Sequence, residues 1–386
     1  MFKATTVSSI EACPQAAGKE VALKIKDSLT KPQVVFAYAS CNYDLDGLLK
    51  SFTETLPDVP IIGNTSFTGV ITPEGFVGGD TFIGAMALED EALTVGVAAL
   101  PKKGDARQTG KEVALQALKA AGKQTPPCYF YMVAPPGEEE YYLKGISEVI
   151  GRVPFFGGSA ADNSIEGYWK LYTQSGAFAD GVAVAFFYTD KPFANEFTGA
   201  YHETEDVGII TKIVGDRTLA EIDGVPALQK YADWTGVDVE SLRGGALLVA
   251  TITSPLGVKD PLGDLVAIRH PMNGNADDSM AVGNNLAEHT AIIRMTASVD
   301  ELIASTGETL TTLQGKLETP GAYHLVHCGG RRAGIGDRID EVAEAIKKVA
   351  GDTPFIVEFT FGEYGYADDG RNTCGGLMLS FSGFGK

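Results

Sequence analysis

Short apolar runs alternate with stretches of helical periodicity along most of the chain. The run QVVFAYAS at 33–40 predicts a buried strand, because it is rich in β-branched and aromatic residues. The next stretch, DLDGLLKSFTETL at 44–56, predicts a helix whose first turn carries acidic residues, which the helix dipole favours. A proline, a short apolar strand and a glycine-containing loop follow. This order predicts a β-α-β unit.

The same order occurs a second time. CYFYMVAP at 128–135 predicts a strand, and GEEEYYLKGISEVI at 137–150 predicts a helix. VPIIGNTSF at 59–67 then matches VPFFGGSAA at 153–161 in a register without gaps. Further strands are predicted at 81–88, 93–100 and 181–188. We interpret the pattern as an internal β-α-β-β duplication in the N-terminal half, with repeats over about 33–100 and 128–190.

The rest of the chain predicts a related unit near the C-terminus, separated from the repeats by a different region. The related unit comprises strands at 323–328, 353–362 and 376–381 and a helix at 337–350. In the region between, 218–236 predicts a strand, a turn and a helix. Apolar runs there predict three more strands, at 245–251, 263–270 and 290–296. A helix at 298–317 begins with Ser298 and Glu301, which form a capping-box pattern.

These elements predict a mixed α/β (α+β) fold with two mixed, partly antiparallel β-sheets flanked by helices. The chain has 386 residues, which exceeds the usual length of one domain. We therefore expect two domains, residues 1–205 with both repeats and residues 206–386.

Charge and cysteine content narrow the classes of partner. The chain carries 50 acidic and 31 basic residues, a net charge of −19, so phosphate backbones and anionic membranes would be repelled. Its five cysteines are widely spaced without a C-x-x-C pair, which argues against a disulfide scaffold or a zinc ribbon and fits a reducing compartment. No apolar stretch approaches the roughly 20 residues of a membrane span. We expect a cytoplasmic protein that binds neither nucleic acid nor membrane.

The sequence lacks the common catalytic and metal-binding motifs. It contains no G-x-x-x-x-G-K-[ST], no G-x-S-x-G and no H-E-x-x-H. His324 and His327 lie three apart on a predicted strand and would face opposite sides, so a shared metal between them is not expected. We predict neither a catalytic residue nor a metal site.

Several motifs in a fixed order resemble the FIST family. They are VPIIGNTSFTGV, VPFFGGSAADN, EIDGVPALQKYADWTG, HCGGRRAGIGDRIDEVAEAI and EFTFGEYGYADDGRN. The resemblance covers nearly the whole chain and implies a FIST N-terminal module over 1–205 and a FIST C-terminal module over 206–386. It further implies a sensor of small molecules rather than an enzyme. Amino-acid-like or carboxylate metabolites are the implied ligands, and a separate signalling protein of the kinase or chemoreceptor type is the implied partner.

The candidate binding residues come from the two glycine loops and from the family motifs. Backbone N–H groups and hydroxyls at the loops suit a carboxylate or amide. These residues are Gly63, Asn64, Thr65, Gly157, Gly158, Ser159 and Asp162. The family's C-x-x-R signature falls on Cys328 and Arg331, and Arg331 offers a bidentate partner for a carboxylate. Other motif positions are Gly362, Glu363 and Asn372, whereas the family's histidine is replaced by Arg371.

Alternatives remain open at this stage. The glycine loops would also serve as turns that only allow the repeats to pack closely, Arg331 would also suit a structural salt bridge, and Cys328 would also suit a small core residue. No cofactor is predicted, but a haem-based nitric oxide sensor is an alternative, with an axial ligand among His202, His270, His289, His324 and His327. Lesser alternatives are an enzyme using Cys328, or Asp162 with Glu363, and an interaction scaffold without a ligand.

Overall fold

The helices mostly follow the predicted periodicity. The structure is a computed structural model that describes residues 1–259, 265–366 and 372–386. Its α-helices are α1 (Pro14–Ser28), α2 (Leu45–Thr55), α3 (Ala106–Ala120), α4 (Glu139–Ile150), α5 (Ala227–Thr235), α6 (Ala246–Ala250), α7 (Val299–Gly315), α8 (Gly329–Ile335) and α9 (Ile339–Ala350). The capping box predicted at the start of α7 is present, with Ser298 accepting a hydrogen bond from the backbone of Glu301. No helix among these residues is long and apolar enough to cross a membrane.

The strands fall into three successive groups. The first group is β1 (Lys3–Ser9), β2 (Val34–Ala39), β3 (Ile61–Thr65), β4 (Gly69–Thr72), β5 (Gly75–Gly78), β6 (Ile83–Glu89), β7 (Thr94–Pro101), β8 (Tyr129–Ala134), β9 (Phe155–Ser159), β10 (Leu171–Thr173), β11 (Gly176–Phe178), β12 (Gly181–Tyr188) and β13 (Phe193–Thr198). The second group is β14 (His202–Val214), β15 (Thr218–Ile222), β16 (Val225–Pro226), β17 (Leu256–Lys259), β18 (Val266–Arg269), β19 (Pro271–Gly274), β20 (Met280–Val282) and β21 (Ala291–Thr296). The third group is β22 (Pro320–Cys328), β23 (Phe355–Thr360), β24 (Glu363–Tyr366), β25 (Asn372–Gly375) and β26 (Leu379–Gly385).

Within the described residues, these strands form four sheets rather than the two predicted. Their orders are β1-β6-β2-β3-β10-β11, then β25-β24-β9-β8-β12-β7, then β13-β26-β22-β23-β4-β5, and β18-β17-β21-β14-β15-β20-β19 with β16 beside β15. Each of the first three sheets combines one parallel strand pair with antiparallel neighbours. The mixed α/β class is therefore confirmed, and only the number of sheets is wrong.

Three β-α-β units supply those parallel pairs. Strands β2 and β3 are joined through α2, β8 and β9 through α4, and β22 and β23 through α8 and α9. The first two are the predicted internal duplication, which the structure confirms. The third is the related unit expected near the C-terminus.

The three units meet in a closed ring at the ends of their second strands, which finish on Thr65, Ser159 and Thr360. The backbone N–H of Ala161 donates to Thr65 O at 2.9 Å, and that of Phe361 donates to Ser159 O at 3.0 Å. The N–H of Phe67 donates to Phe359 O at 2.9 Å and closes the cycle. Because carboxyl ends of parallel strands are common ligand sites, this ring is the first place to look for one.

The sheets cross the proposed boundary at residue 205. Strand β13 pairs with β26, β4 with β23, and β9 with β24, so the third strand group completes sheets begun by the first. The second group forms its own sheet with a separate core that includes Leu228, Tyr231, Leu256 and Met280. This layer covers one side of the ring.

One predicted strand, at 245–251, is wrong. Residues Ala246–Ala250 form helix α6, and the Thr251 hydroxyl donates to Leu247 O at 2.8 Å at its end. A short apolar run has no periodicity that separates a strand from a helical segment, so local contacts decide it. The predicted strand at 263–270 is present as β18, although residues 260–264 lie outside the described ranges.

Candidate functional site

A cavity of about 290 Å³ lies where the parallel strands end. Phe67 follows β3, Pro136 follows β8, Cys328 ends β22 and Phe361 follows β23, and all four line it. The second strand group closes the opposite side through Leu248, His270, Met272, Val282, Gly283 and Asn284. The volume is at the lower end of the roughly 300–1,000 Å³ of small-molecule sites, which suits a compact metabolite.

Aromatic rings form much of the wall. Phe67 and Phe361 lie 5.6 Å apart between ring centroids, and Trp169 meets Phe361 edge-on at 6.2 Å. Ile165 and Ala333 also line the cavity, on the loop that precedes Trp169 and on α8. Such a surface favours a ligand with an apolar body, because burial of apolar area drives binding while the edges of the rings orient it.

The loop that carries Ile165 and Trp169 is organised by Asp162. The Asp162 carboxylate accepts hydrogen bonds from the backbone N–H groups of residues 164 to 168, five in all. The predicted Asp162 therefore does not face the cavity. It determines the path of the loop that forms one wall.

Replacing Asp162 by alanine is expected to loosen that wall. Five N–H groups would lose a charged acceptor, so we expect a loss of about 2 kcal/mol in unfolding free energy. Trp169 should become more exposed, with red-shifted emission, when measured in a Trp234→Phe background that leaves Trp169 as the single tryptophan. Asp277→Ala is the control, because Asp277 accepts bonds only from Ser279 in an unrelated loop. Unchanged Trp169 emission in Asp162→Ala would contradict this role.

Two polar side chains face the cavity with unused acceptors. Asn284 is 1% exposed, and its Nδ2 donates to Glu140 Oε1 at 3.4 Å while Oδ1 has no hydrogen-bond partner among the described residues. Burial lowers the pKa of His270 to about 4, so its ring is neutral. With Nε2–H donating to Leu248 O at 2.9 Å, Nδ1 keeps an acceptor lone pair. An unpaired buried acceptor is costly, so a ligand that donates to Asn284 would be favoured.

The cation at the cavity wall is already paired. Arg217 contacts Glu139 at 2.9 Å and also Glu140, and its Nη1 donates to Gly283 O at 2.7 Å. Burial, together with the charge of Glu140, raises the pKa of Glu139 to about 7 against the attraction of Arg217. Among the described lining residues, no cationic side chain is left uncommitted for a ligand carboxylate.

Arg331, the predicted carboxylate partner, lies away from this cavity. Its side chain is 0% exposed and donates to Gly199 O at 2.7 Å, Leu302 O at 2.9 Å and Ser305 Oγ at 2.5 Å. These partners join α7 and α8 to the segment after β13. The guanidinium therefore connects core elements instead of facing a ligand, and no salt bridge to it is found in the described part of the chain.

The two glycine loops are strand interiors. A Cβ on Gly63 would come within 1.7 Å of Ala37 O, and one on Gly157 within 1.9 Å of Met132 O. These glycines therefore allow the close approach of the neighbouring parallel strand. Thr65 bonds the backbone of Lys170, and Ser159 bonds Tyr364 at 2.8 Å. Gly158 pairs with Glu363 in the sheet, so none of these loop residues lines the cavity.

Asn64 belongs to a polar cluster sealed between the sheets. It donates to Glu358 Oε2 at 3.0 Å and accepts from Tyr131 at 3.1 Å. Tyr131 also reaches Tyr38, which bonds His324. Burial raises the pKa of Glu358 to about 8 and lowers the pKa of His324 to about 3, so both are neutral near pH 7. None of these residues lines the cavity at the strand ends, and the cluster is buried in the core.

The remaining predicted motif residues, Cys328, Gly362, Glu363 and Asn372, form hydrogen bonds within the protein. Cys328 lines the cavity, but burial raises the pKa of its thiol well above the ordinary value, and its sulfur accepts from Gly330 and Leu377. Glu363 accepts from Met378 N at 2.8 Å and Thr360 at 2.9 Å, and burial raises its pKa to about 8. The carbonyl of Gly362 accepts from Ser159 N. Asn372 lies beyond the cavity and donates to Val153 O, and Arg371 lies outside the described residues.

Of the five histidines, only His270 lines the cavity. His202 and His289 are exposed, whereas His324 and His327 are buried and face different cores, as predicted from their spacing. Haem binding stays an alternative hypothesis, and a visible spectrum of the protein with added haemin would test it.

Sequence reasoning missed most of the cavity wall. Phe67 and Phe361 lie within family motifs but were not chosen as binding residues, Trp169 lies outside those motifs, and Arg217 and Asn284 lie in the region without a repeat. A usable signal was the position of Phe67 and Phe361 just beyond the strand ends, where ligands commonly bind.

Comparisons with known proteins identify the family of this chain. The FIST N domain model matches residues 33–225, and the FIST C domain model matches residues 227–366. No curated protein matches the sequence. The cyanuric acid hydrolase structure from A. caulinodans is similar at 10% identity over 99% of both chains, with a TM-score of 0.39. Phosphoribosylformylglycinamidine synthase II from Thermotoga maritima aligns at 10% identity over 100% of this chain and 72% of that chain, with a TM-score of 0.24. At these scores neither structure supports an argument about function.

Proposed function

Because the chain belongs to the FIST family, whose modules are sensory and signalling domains, we propose that it senses a small molecule bound in the cavity at the strand ends. The observation that carries this proposal is the apolar cavity with one buried, unpartnered acceptor, Asn284 Oδ1. The proposed output is a separate signalling protein of the kinase or chemoreceptor type, as family membership implies.

The lining favours one kind of ligand within the amino-acid-like class. An ammonium or amide N–H would donate to Asn284, and an aliphatic or aromatic body would contact Trp169, Phe67 and Phe361. A ligand carboxylate gains little here, because Arg217 is paired with two glutamates and Arg331 lies elsewhere. We therefore propose an amide of an apolar amino acid, which has no free carboxylate, rather than an organic acid.

A ligand panel on the purified protein tests this. At about 100 times its dissociation constant, a ligand should stabilise the protein by about 2.7 kcal/mol, or several degrees in Tm. We expect the shift with amides of apolar amino acids, and not with the free amino acids or with organic acids. In the Trp234→Phe background, the same compounds should change Trp169 emission. Asn284→Ala should weaken binding about tenfold, since it removes the acceptor.

A large side chain that fills the cavity should abolish the rise in Tm that the ligand causes. Ala333 is exposed at the cavity mouth on α8, so Ala333→Phe should block the ligand with little change in the Tm of the free protein. Ala16→Phe on α1 is the matched control, because Ala16 is exposed and lines no part of the cavity. Equal ligand shifts in both variants, or no shift with any compound, would reject the cavity as the sensory site.

A further inference from the structure

A second cavity of about 290 Å³ lies between α4, β18 and β25. Its lining includes Glu140, Lys144, Ser147, Arg269, Asn285 and Thr373. The Arg217–Glu140 ion pair separates it from the apolar cavity, since Arg217 lines one and Glu140 the other. It is a distinct site with a different chemistry.

Arg269 brings a positive charge without a carboxylate partner. Its guanidinium donates only to backbone carbonyls, from Nε to Asn285 O at 3.2 Å and from Nη1 to Ile268 O at 3.2 Å and Cys374 O at 3.4 Å. No protein partner of Nη2 is found in the described ranges. Burial lowers the pKa of Arg269, and the attraction of the nearby Glu140 carboxylate opposes part of that shift.

Lys144 adds a second uncommitted cation at the same cavity. It is exposed on α4 and forms no ion pair within the described residues. Glu140 attracts Arg269 without an ion-pair contact, because its carboxylate oxygens accept hydrogen bonds from Arg217, from Asn285 N at 3.1 Å and from Asn284. Two cations without an ion-pair contact among the described residues therefore line one cavity of a protein with 19 excess negative charges.

We propose that this second cavity binds a small oxyanion group, a phosphate or a carboxylate, between Arg269 Nη2 and Lys144 Nζ. Both cations donate strong charge-assisted hydrogen bonds to such oxygens, and the Ser147 and Thr373 hydroxyls supply further donors at the wall. The site does not depend on the ligand proposed for the apolar cavity, so either assignment can fail alone.

Calorimetric titration with inorganic phosphate and with malonate, at ionic strength fixed by sodium chloride, tests the site. We expect saturable one-to-one binding of at least one anion. The anion with the higher affinity shows whether the natural ligand carries a phosphoryl or a carboxylate group. Lys144→Gln should weaken binding about threefold to fivefold, since the contact is exposed. Arg269→Met should weaken it tenfold or more.

Lys50→Gln is the matched control. Lys50 occupies the equivalent position on α2 in the first repeat and is likewise exposed, but it lines no such cavity. Its variant should bind both anions like the unmodified protein. If Arg269→Met does not fold, Lys144→Gln against Lys50→Gln still decides the question. Absence of saturable binding by either anion, or equal affinities in the two lysine variants, would overturn the proposal.

Discussion

The free energy of unfolding should fall by about 3 kcal/mol between pH 6.5 and pH 8. Burial raises the pKa of Glu358 and of Glu363 from 4.5 to about 8. Each folded-state carboxyl therefore keeps a proton that the unfolded chain has released. The contribution of such a group to the free energy of unfolding is fully present below pH 4.5. It is lost as pH rises through 8, at up to about 1.4 kcal/mol per pH unit per carboxyl.

Three buried histidines act in the opposite direction at lower pH. Burial lowers the pKa of His270 from 6.5 to about 4, and the pKa values of His324 and His327 to about 3. Their contribution is complete above pH 6.5 and is lost as pH falls through 4, because the unfolded chain binds protons that the folded state excludes. Together the two sets place the stability maximum near pH 6.5.

Denaturant titrations at a series of pH values check this profile. Glu358→Gln keeps the shape of the side chain but has no ionisable proton, so it should reduce the slope between pH 6.5 and pH 8 by about 1 kcal/mol per pH unit. Glu341→Gln is the control, because Glu341 is exposed and pairs with Arg338 at the surface. A flat profile from pH 6.5 to 8, or equal slopes in both variants, would contradict the neutral buried carboxyls.

Replacing Arg331 by alanine is expected to lower the free energy of unfolding by at least about 3 kcal/mol. The substitution leaves a cavity in a fully buried region and removes the donors to Gly199 O, Leu302 O and Ser305 Oγ. Arg331→Lys should restore only part of the loss, since one ammonium cannot reproduce the fork of the guanidinium.

Arg332→Ala is the neighbouring control. Arg332 is half-buried, lies over the Phe76 ring and donates to Gly336 O, so its loss should cost about 1 kcal/mol. The readout separates two roles for Arg331. A structural residue lowers stability in the absence of any ligand, whereas a ligand partner would lower affinity with stability nearly unchanged. The second outcome would return Arg331 to the binding site.

The fold was largely predictable because its elements follow simple periodicities. The β-α-β duplication was visible in VPIIGNTSF and VPFFGGSAA, and the glycines at 63 and 157 mark the same close approach of parallel strands in each copy. The number of sheets was not predictable, because pairs such as β13 with β26 join segments far apart in sequence. Local patterns contain no information on such pairings.

The candidate site was predicted less well than the fold. The motif residues Arg331, Glu363 and Asn64 were chosen for their chemistry, and all three are buried in hydrogen-bond networks. The prediction that these side chains form strong hydrogen bonds is consistent with the structure. The sequence does not show, however, whether their partners are a ligand or other residues of the protein. Asn284 was missed for the converse reason: an isolated asparagine becomes informative only when its unpaired oxygen is seen at a cavity wall.

The closed ring of strand ends constrains how the protein is made. Strand β4 lies within the first 72 residues but pairs with β23, and β13 pairs with β26 at the end of the chain. During translation, strands of the first group must therefore keep unpaired edges until residues 355–385 have left the ribosome. Such long-range pairings slow folding and expose aggregation-prone edges. A truncation that removes residues 355–385 is thus expected to damage the first unit as much as the last.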